Sequence, residues 1–305
     1  MTGPVKPTAT NTGWCGAVAA GLALLAGAPG TASADSDFFE FRGFRAEASY
    51  TSDDNVTRAP ASDALRDSAL GVRVSAGGVI PISMRTRASV QGFAGAQKFN
   101  NHTGLSNNFI GTQGDFFFRS SGEFGAATYG AFIRTAKEEY ESTLRDGYRH
   151  AFGVTWLKPA TDKIQLSAGV TYNITDGKSI VFDTKNVSLR GNADWSLGRW
   201  DTVYAGAEYR RGDSVSTSSQ SLAAVNVADA IVPDDAFDDT RFAYRFKASA
   251  LLATLGYNRA FGESQSLDVS WRRVQSMPLH PPGNAPASEL RYVVNQISVA
   301  YLARF

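Results

Sequence analysis

Three histidines are the residues in this sequence best suited to general acid–base chemistry, because imidazole titrates near neutral pH. His102 lies in a polar segment at 100–104, His150 in a run of alternating apolar residues, and His280 in a proline-rich segment at 277–282. Catalysis also needs a carboxylate or a nucleophilic hydroxyl beside the imidazole, and no recognisable nucleophile motif accompanies any of the three. We therefore predict no catalytic residues and expect surface or interfacial histidines.

Acidic residues form a second kind of candidate site, because spaced carboxylates bind Ca²⁺. They cluster at 53–54, at 138–139 and along 234–239, without the Asp-x-Asp-x-Asp-Gly spacing of a calcium loop. The single cysteine excludes a cysteine-based zinc site and an intramolecular disulfide. We expect solvated acidic loops, no metal and no cofactor. The formal net charge of +1 likewise argues against nucleic acid as a partner.

Arginines form the third candidate site, because guanidinium groups inside a pore attract anions and raise their local concentration. If the chain folds into strands, alternation places thirteen basic residues and only five acidic ones on the polar face. The hypothesis of a basic lumen rests on seven of these residues: Arg73, Arg87, Arg134, Arg190, Arg210, Arg245 and Arg272.

Strands are the elements that would position these arginines, since apolar and polar residues alternate with a period of two. In 163–175, for example, Ala168 and Val170 share a face opposite Ser167 and Thr171. In the tenth segment the apolar parity changes, which predicts a β-bulge near 248–251. The twelve predicted strands are 39–50, 68–79, 84–99, 107–119, 124–138, 145–157, 163–175, 186–197, 201–211, 241–258, 265–275 and 289–305.

Connections between these segments alternate in length. Short turns follow the even strands, and longer polar loops follow the odd ones. This asymmetry is typical of transmembrane barrels, and an even strand count puts both ends of the barrel on the short-turn side. The sequence therefore predicts an all-β protein, a closed antiparallel transmembrane β-barrel of about 12 strands with up-and-down topology. Its polar residues would fill the lumen and its apolar residues would face lipid.

The start of the chain has the layout of a secretory signal peptide. A weakly charged segment precedes an apolar run at 15–28, and Pro29 and Gly30 end that run before the small-residue pattern at 32–34. The run is too short for a transmembrane helix. We predict a cleaved signal peptide at 1–34, which contains the only cysteine, Cys15, and a barrel domain at 35–305.

The last ten residues carry a more specific signal. Apolar residues alternate from Ile297 through Tyr301 to the terminal Phe305. This pattern resembles the C-terminal strand of Gram-negative outer-membrane β-barrel proteins, which implies that Tyr301 and Phe305 form the signal read by the barrel-assembly machinery. The resemblance also implies residence in the outer membrane among its lipids and lipopolysaccharide. Residues 50–59 are weakly similar to the barrels of surface lipoprotein assembly modifiers and of exopolysaccharide-associated outer-membrane proteins.

A narrow porin-like channel for small anionic solutes is the function that a basic lumen favours. It would be a passive pore and not an enzyme. The first alternative is a structural or export-associated barrel whose extracellular loops bind a partner or a surface glycan. The least favoured alternative is a lipid-modifying outer-membrane enzyme that uses His150 or His102.

The longest predicted loop, 212–240, has an apolar middle at 222–232 followed by an acidic run. An apolar middle is unusual in a solvated loop, so this segment is a candidate to fold inward and constrict the lumen. Mobility is the alternative for a loop of this length. If the loop folds inward, four acidic residues would meet arginines at the mouth: Asp234, Asp235, Asp238 and Asp239.

Overall fold

A computed structural model describes residues 40–228, 230–238, 240–281, 283 and 285–305. The predicted signal peptide, 1–34, lies outside the described residues. Twelve long strands are described: β1 (Glu40–Asp53), β2 (Asp67–Ser83), β3 (Thr86–Phe99), β4 (Asn107–Arg119), β5 (Thr128–Tyr140), β6 (Gly147–Pro159), β7 (Ile164–Gly177), β8 (Thr184–Ser196), β9 (Asp201–Ser219), β11 (Arg241–Ala260), β12 (Gln265–His280) and β13 (Tyr292–Arg304).

Several short elements complete the described part of the chain. The three-residue strand β10 (Ile231–Pro233) and the helix α1 (Ala223–Val227) lie between β9 and β11. The 3-10 turns are Thr103–Leu105, Thr143–Arg145 and Ala287–Glu289. Among the described residues, the helices are too short and too polar to cross a membrane.

The twelve long strands form one closed barrel. Each pairs antiparallel with the next along the chain, with β9 pairing directly with β11. Closure comes from β1 and β13, whose register places Arg45 opposite Arg304. The predicted twelve-stranded, up-and-down barrel is therefore confirmed.

The barrel wall has an apolar outer face and a polar inner face. On β2, the outward Leu70, Val72 and Val74 are 59%, 58% and 55% exposed, while Arg73 between them is turned inward and half-buried. Because successive side chains of a strand point to opposite faces, the other long strands likewise alternate between outward and inward side chains. An exposed apolar belt needs an apolar surrounding, since apolar patches of this extent are rare on soluble monomers.

The two rims of the barrel differ in their connections. The terminal rim carries the start of β1, the end of β13 and the turns at 84–85, 120–127, 160–163, 197–200 and 261–264. The loop rim carries L1 (54–66), L2 (100–106), L3 (141–146), L4 (178–183), the cap (220–240) and L5 (281–291). The turn at 120–127 is longer than the sequence predicted because β5 begins at Thr128, and it exceeds L3 and L4.

The predicted change of parity in the tenth segment is wrong. β11 pairs with β9 without a register shift from Arg241 to Arg259, so its alternation continues unbroken. The irregularity lies on β12. Lys247 pairs with His280 and Ala248 pairs with Pro278, so Leu279 is an additional residue inserted between these two pairs. On β11, apolar side chains near the loop rim therefore point inward, beneath the loops, whereas apolar side chains nearer the terminal rim point outward and join the exposed apolar belt.

Closure of the barrel depends on Gly43. Its φ is 83°, a left-handed conformation that costs other residues roughly 1–2 kcal/mol. A Cβ there would lie 2.2 Å from the carbonyl oxygen of Phe305. The same oxygen accepts a hydrogen bond from the Phe44 N–H at 3.1 Å. A side chain at position 43 must therefore disturb the seam between β1 and β13.

We expect Gly43→Ala to destabilise the barrel, whereas Gly92→Ala should be neutral. Nothing lies within 4 Å of a Cβ built at Gly92, which makes this glycine a matched control. The measurement is the temperature at which the refolded barrel in detergent loses its heat-modifiable gel mobility. Equal midpoints for the two variants would show that the seam tolerates a side chain at position 43.

Candidate functional site

Two connected spaces occupy the lumen. The larger cavity, of about 630 Å³, extends from Phe44 at the terminal rim to Phe182 beneath the loops. The smaller, of about 250 Å³, is lined by residues of β1 to β4, β8, β9 and β11 to β13. Six charged residues line both spaces, so their side chains cross the lumen between them: Glu47, Arg58, Arg73, Arg190, Glu208 and Arg272.

Five of the seven predicted lumen arginines line the larger cavity: Arg73, Arg134, Arg190, Arg210 and Arg272. They come from β2, β5, β8, β9 and β12, and so from all around the wall. Arg134 lies within electrostatic range of both Arg73 and Arg190. The structure therefore brings arginines from distant strands together in the middle of the barrel.

An aromatic ring and an amide position two of these arginines. The Arg73 guanidinium lies 4.6 Å from the centroid of the Phe93 ring, and that of Arg134 lies 5.9 Å from it. Gln113 accepts a hydrogen bond from Arg134 Nε at 2.6 Å and donates one to Asp115 at 2.7 Å. Cation–π contacts of this kind contribute about 0.5–2 kcal/mol, so both guanidiniums are held on one ring.

Acidic side chains accompany the arginines at defined points. Glu47 stands directly opposite Arg73 in the register of β1 and β2. Glu208 pairs with Arg210 at 2.8 Å. Deeper toward the terminal rim, Asp268 accepts a hydrogen bond from the Tyr204 hydroxyl at 2.9 Å. The lumen is thus a network of charges and not an empty apolar tube.

The remaining two predicted lumen arginines lie elsewhere. Arg87 faces inward near the terminal rim, where its guanidinium lies 5.4 Å from the Phe117 ring centroid. Arg245 occupies the face of β11 opposite to the inward one, because the parity of that strand does not change. It donates to the carbonyl oxygen of Ile180 at 2.6 Å and to that of Asp183, and so joins β11 to L4.

The cap crosses the mouth of the barrel. It leaves the wall between β9 and β11, and L2, which joins β3 to β4, lies six strand positions away on the opposite wall. Ala236 of the cap nevertheless packs with Ala69, Phe99 and Leu105 at that wall. A Cβ at Gly104 of L2 would lie 2.3 Å from the Ala236 Cα, so the two backbones are in direct contact.

Buried polar contacts hold the tip of the cap. Asp234 is 1% exposed, and its carboxylate pairs with Arg145 of L3 at 2.5 Å. The same carboxylate accepts a hydrogen bond from the Thr217 hydroxyl at 2.5 Å, and Ser142 of L3 donates one to Asp235. Removing one member of such a buried charge pair costs about 3–5 kcal/mol.

The other predicted constriction residues are more peripheral. Asp238 is solvent-exposed, and one oxygen lies 3.6 Å from Arg241 Nε. Hydrogen bonds from Thr240 hold the pKa of the Asp238 carboxyl below its usual range. Asp239 lies outside the described residues.

The described part of the cap also contacts every other long loop. Its helix α1 contributes Ala224 and Val225 to an apolar cluster with Tyr244 and Leu290. On the L1 side, Val56 packs against the cluster that contains Ala236 of the cap. Ala230 packs with Val181 of L4. The loops of this rim therefore form one packed layer.

The three histidines occupy separate places. His102 of L2 contacts the cap through the Phe237 ring, with 4.9 Å between centroids, and burial lowers the pKa of His102 below its usual value. His150 shares a hydrogen bond with Thr135 on the outer face. His280 is exposed at the end of β12. Among the described residues, no group of three or more His, Cys, Asp or Glu is placed to hold a metal ion.

Arg58 and Arg145 also line the larger cavity, although sequence alternation did not indicate them. Both come from loops, where a period of two does not apply. Their acidic partners are Asp53, at 2.7 Å from Arg58, and Asp234. Asp53 precedes Arg58 by five residues, whereas Asp234 follows Arg145 by 89 residues, so the two pairs share no spacing that the sequence could have shown.

No family model matches the sequence, and no curated protein matches it. Among solved structures, the COG4313 outer membrane channel from Pseudomonas putida F1 is similar over 90% of this chain and 100% of its own, with 9% identity and a TM-score of 0.54. The barrel is also similar to the KdgM porin in complex with disordered oligogalacturonate (7% identity, 86% and 99% covered, TM-score 0.46). The NanC porin is similar over 86% of this chain and 100% of its own, with 8% identity and a TM-score of 0.46.

The similarity to the Pseudomonas putida channel shows a shared fold. The chain has the fold of an outer-membrane β-barrel channel. This fold and the exposed apolar belt are those of an outer-membrane β-barrel. Because such barrels have short periplasmic turns and longer extracellular loops, we expect the loop rim outside the cell and the terminal rim in the periplasm. Tyr301 and Phe305 of the predicted assembly signal lie near the terminal rim, 41% and 79% exposed. Their recognition during assembly stays a prediction, as does the similarity to lipoprotein assembly modifiers.

Proposed function

We propose that this protein is a passive channel whose basic lumen admits small anionic solutes. The observation that carries the proposal is the lining of the larger cavity, which includes eleven arginines and four acidic residues. Three of the arginines pair with carboxylates at the loop rim, and the carboxylate of Asp213 pairs with Lys247. Arg42 pairs with Glu40 near the terminal rim, so seven arginines then remain against three acidic residues.

The arrangement of these arginines supports movement along the lumen. Arg304 lies at the periplasmic end, the pair on the Phe93 ring lies in the middle, and Arg145 and Arg149 lie beneath the cap. A series of weak sites lets an anion enter and also leave, which conduction requires. Low-dielectric walls strengthen the attraction relative to open water. No chemical step is asked of the protein.

Reversal potentials in planar bilayers under a KCl gradient test the proposal. We expect the wild-type channel to prefer chloride, and the triple variant Arg73→Gln, Arg134→Gln, Arg190→Gln to lose that preference or reverse it. The excess of arginines in the lining would then be nearly gone, because the residues that remain are Arg45, Arg210, Arg272 and Arg304 against Glu47, Asp115 and Glu208. Arg273→Gln removes an exposed arginine from the outer face of β12 and should leave the reversal potential unchanged. Unchanged selectivity in a folded triple variant would refute the basic selectivity filter.

The packed loop layer favours a second candidate, a closed structural barrel whose outer surface binds a partner or a surface glycan. The burial of Asp234 and the contact of the cap with the opposite wall support it. This candidate predicts that the folded barrel carries no current, with the cap present or removed. Current through the wild-type protein would exclude it.

A further inference from the structure

A basic arc lies on the outer surface of β8, β9, β11 and β12, close to the loop rim. Lys185, Arg211, Lys247 and His280 are all exposed there. The register places Lys247 opposite both Asp213 and His280, and the N–H of Lys185 donates to the Asp213 carboxylate at 2.9 Å. Side chains of four neighbouring strands therefore meet in one row on the outside of the barrel.

The arc keeps an excess of positive charge. Asp213 is the acidic residue within it, and its carboxylate is largely buried against Lys247 Nζ at 2.6 Å. Lys247 remains 59% exposed beside this contact. Arg211 lies two residues below Asp213 on the same strand, opposite Val187. The exposed Lys185, Arg211 and Lys247 are thus cations whose charge Asp213 compensates only in part.

Directly below the arc the same strands turn apolar. Leu189, Tyr209 and Leu251 are opposite one another on β8, β9 and β11, and all three are exposed. They lie two residues below Arg211, a step of about 7 Å along a strand. A row of cations above a row of exposed apolar side chains matches a lipid that carries phosphate above its acyl chains.

We propose that this arc is a binding site for the phosphorylated head group of lipid A in the outer leaflet. The phosphates would contact Lys185, Arg211 and Lys247, and the acyl chains would lie against Leu189, Tyr209 and Leu251. None of the three basic residues lines either lumen cavity. The site is therefore independent of the proposed channel function, and refuting one proposal would not refute the other.

Native mass spectrometry of the barrel refolded in detergent, titrated with bis-phosphorylated lipid A, tests the site. We expect Lys185→Gln, Arg211→Gln, Lys247→Gln to weaken binding roughly tenfold or more, since each surface cation contributes measurably to binding of anionic lipid. The matched control, Lys98→Gln, Lys137→Gln, Arg273→Gln, removes the same charge from exposed positions scattered over β3, β5 and β12. It should change binding less than twofold.

Several outcomes would overturn the site. Equal weakening by both triple variants would indicate general attraction to a basic surface, and no weakening by the first would remove the arc. Equally tight binding of dephosphorylated lipid A would exclude phosphate recognition. Displacement of lipid A by millimolar inorganic phosphate would indicate a site for a free anion. Heat-modifiable gel mobility verifies folding, and the single variant Arg211→Gln, with an intermediate loss, covers the case in which the triple variant does not refold.

Discussion

Replacing residues 221–239 by a Gly-Gly turn should raise the single-channel conductance of the barrel severalfold. The cap spans the mouth and reaches the opposite wall, where Ala236 packs against Leu105. A solute that enters from outside must pass this packed layer, and the resistance of a pore is set mainly by its narrowest part. Because Ser219 still pairs with Arg241 in this variant, the wall should close as before. Planar-bilayer recording measures the change.

A cross-link provides the converse test. Ser142 and Asp235 share a hydrogen bond between L3 and the cap, so Ser142→Cys with Asp235→Cys should form a disulfide that fixes the cap to L3. The only native cysteine, Cys15, lies in the predicted signal peptide. The conductance of the oxidised double variant should stay at the wild-type level, because the disulfide holds the cap in its native position. Reduction breaks the disulfide and allows the cap to move. A Gly-Gly replacement of residues 121–126 at the other rim serves as the control for loop shortening.

Wild-type conductance in a folded cap variant would contradict this expectation. The cap would then be a surface feature that leaves the conduction path open, and the arginines of the lumen would alone limit passage. Increased conductance together with retained anion preference would instead separate the two roles, with the cap as barrier and the lumen as selectivity filter.

The wall of the barrel was predictable because each strand has two chemically different surroundings. Lipid outside and charge inside impose a period of two, so Val187 and Leu189 could be assigned to one face and Ser188 and Arg190 to the other. The end of β9 could not be predicted in this way. Ser216, Thr217 and Ser218 are all buried. The Ser216 hydroxyl donates to the Arg58 carbonyl oxygen of L1 and the Thr217 hydroxyl donates to Asp234 of the cap, so polar partners cover both faces of the strand.

The middle of the lumen was predictable for the same reason, whereas the residues that the cap contacts were not. Arg73 and Arg134 follow directly from strand parity. Arg245 was misassigned because apolar residues near the loop rim, such as Tyr244, point into the loop layer and not toward lipid. The pair of Asp234 and Arg145 joins residues 89 positions apart. The apolar middle at 222–232 indicated that the loop folds inward and that Asp234 meets an arginine, but only the three-dimensional course of the cap shows that this arginine is Arg145.

Arginine placed at Val170 should destabilise the barrel by about 2–4 kcal/mol, because lipid near the middle of the bilayer does not solvate a guanidinium. Val170 is an exposed apolar residue on the outer face of β7, and Thr171, its neighbour, lines the larger cavity. Thr171→Arg places the same side chain among water and polar groups, so its cost should be clearly smaller. Urea titration of both variants refolded into lipid vesicles, followed by tryptophan fluorescence, measures the difference. Equal destabilisation by the two substitutions would mean that both faces of β7 contact the same kind of surroundings. It would contradict the assignment of the outer face to lipid.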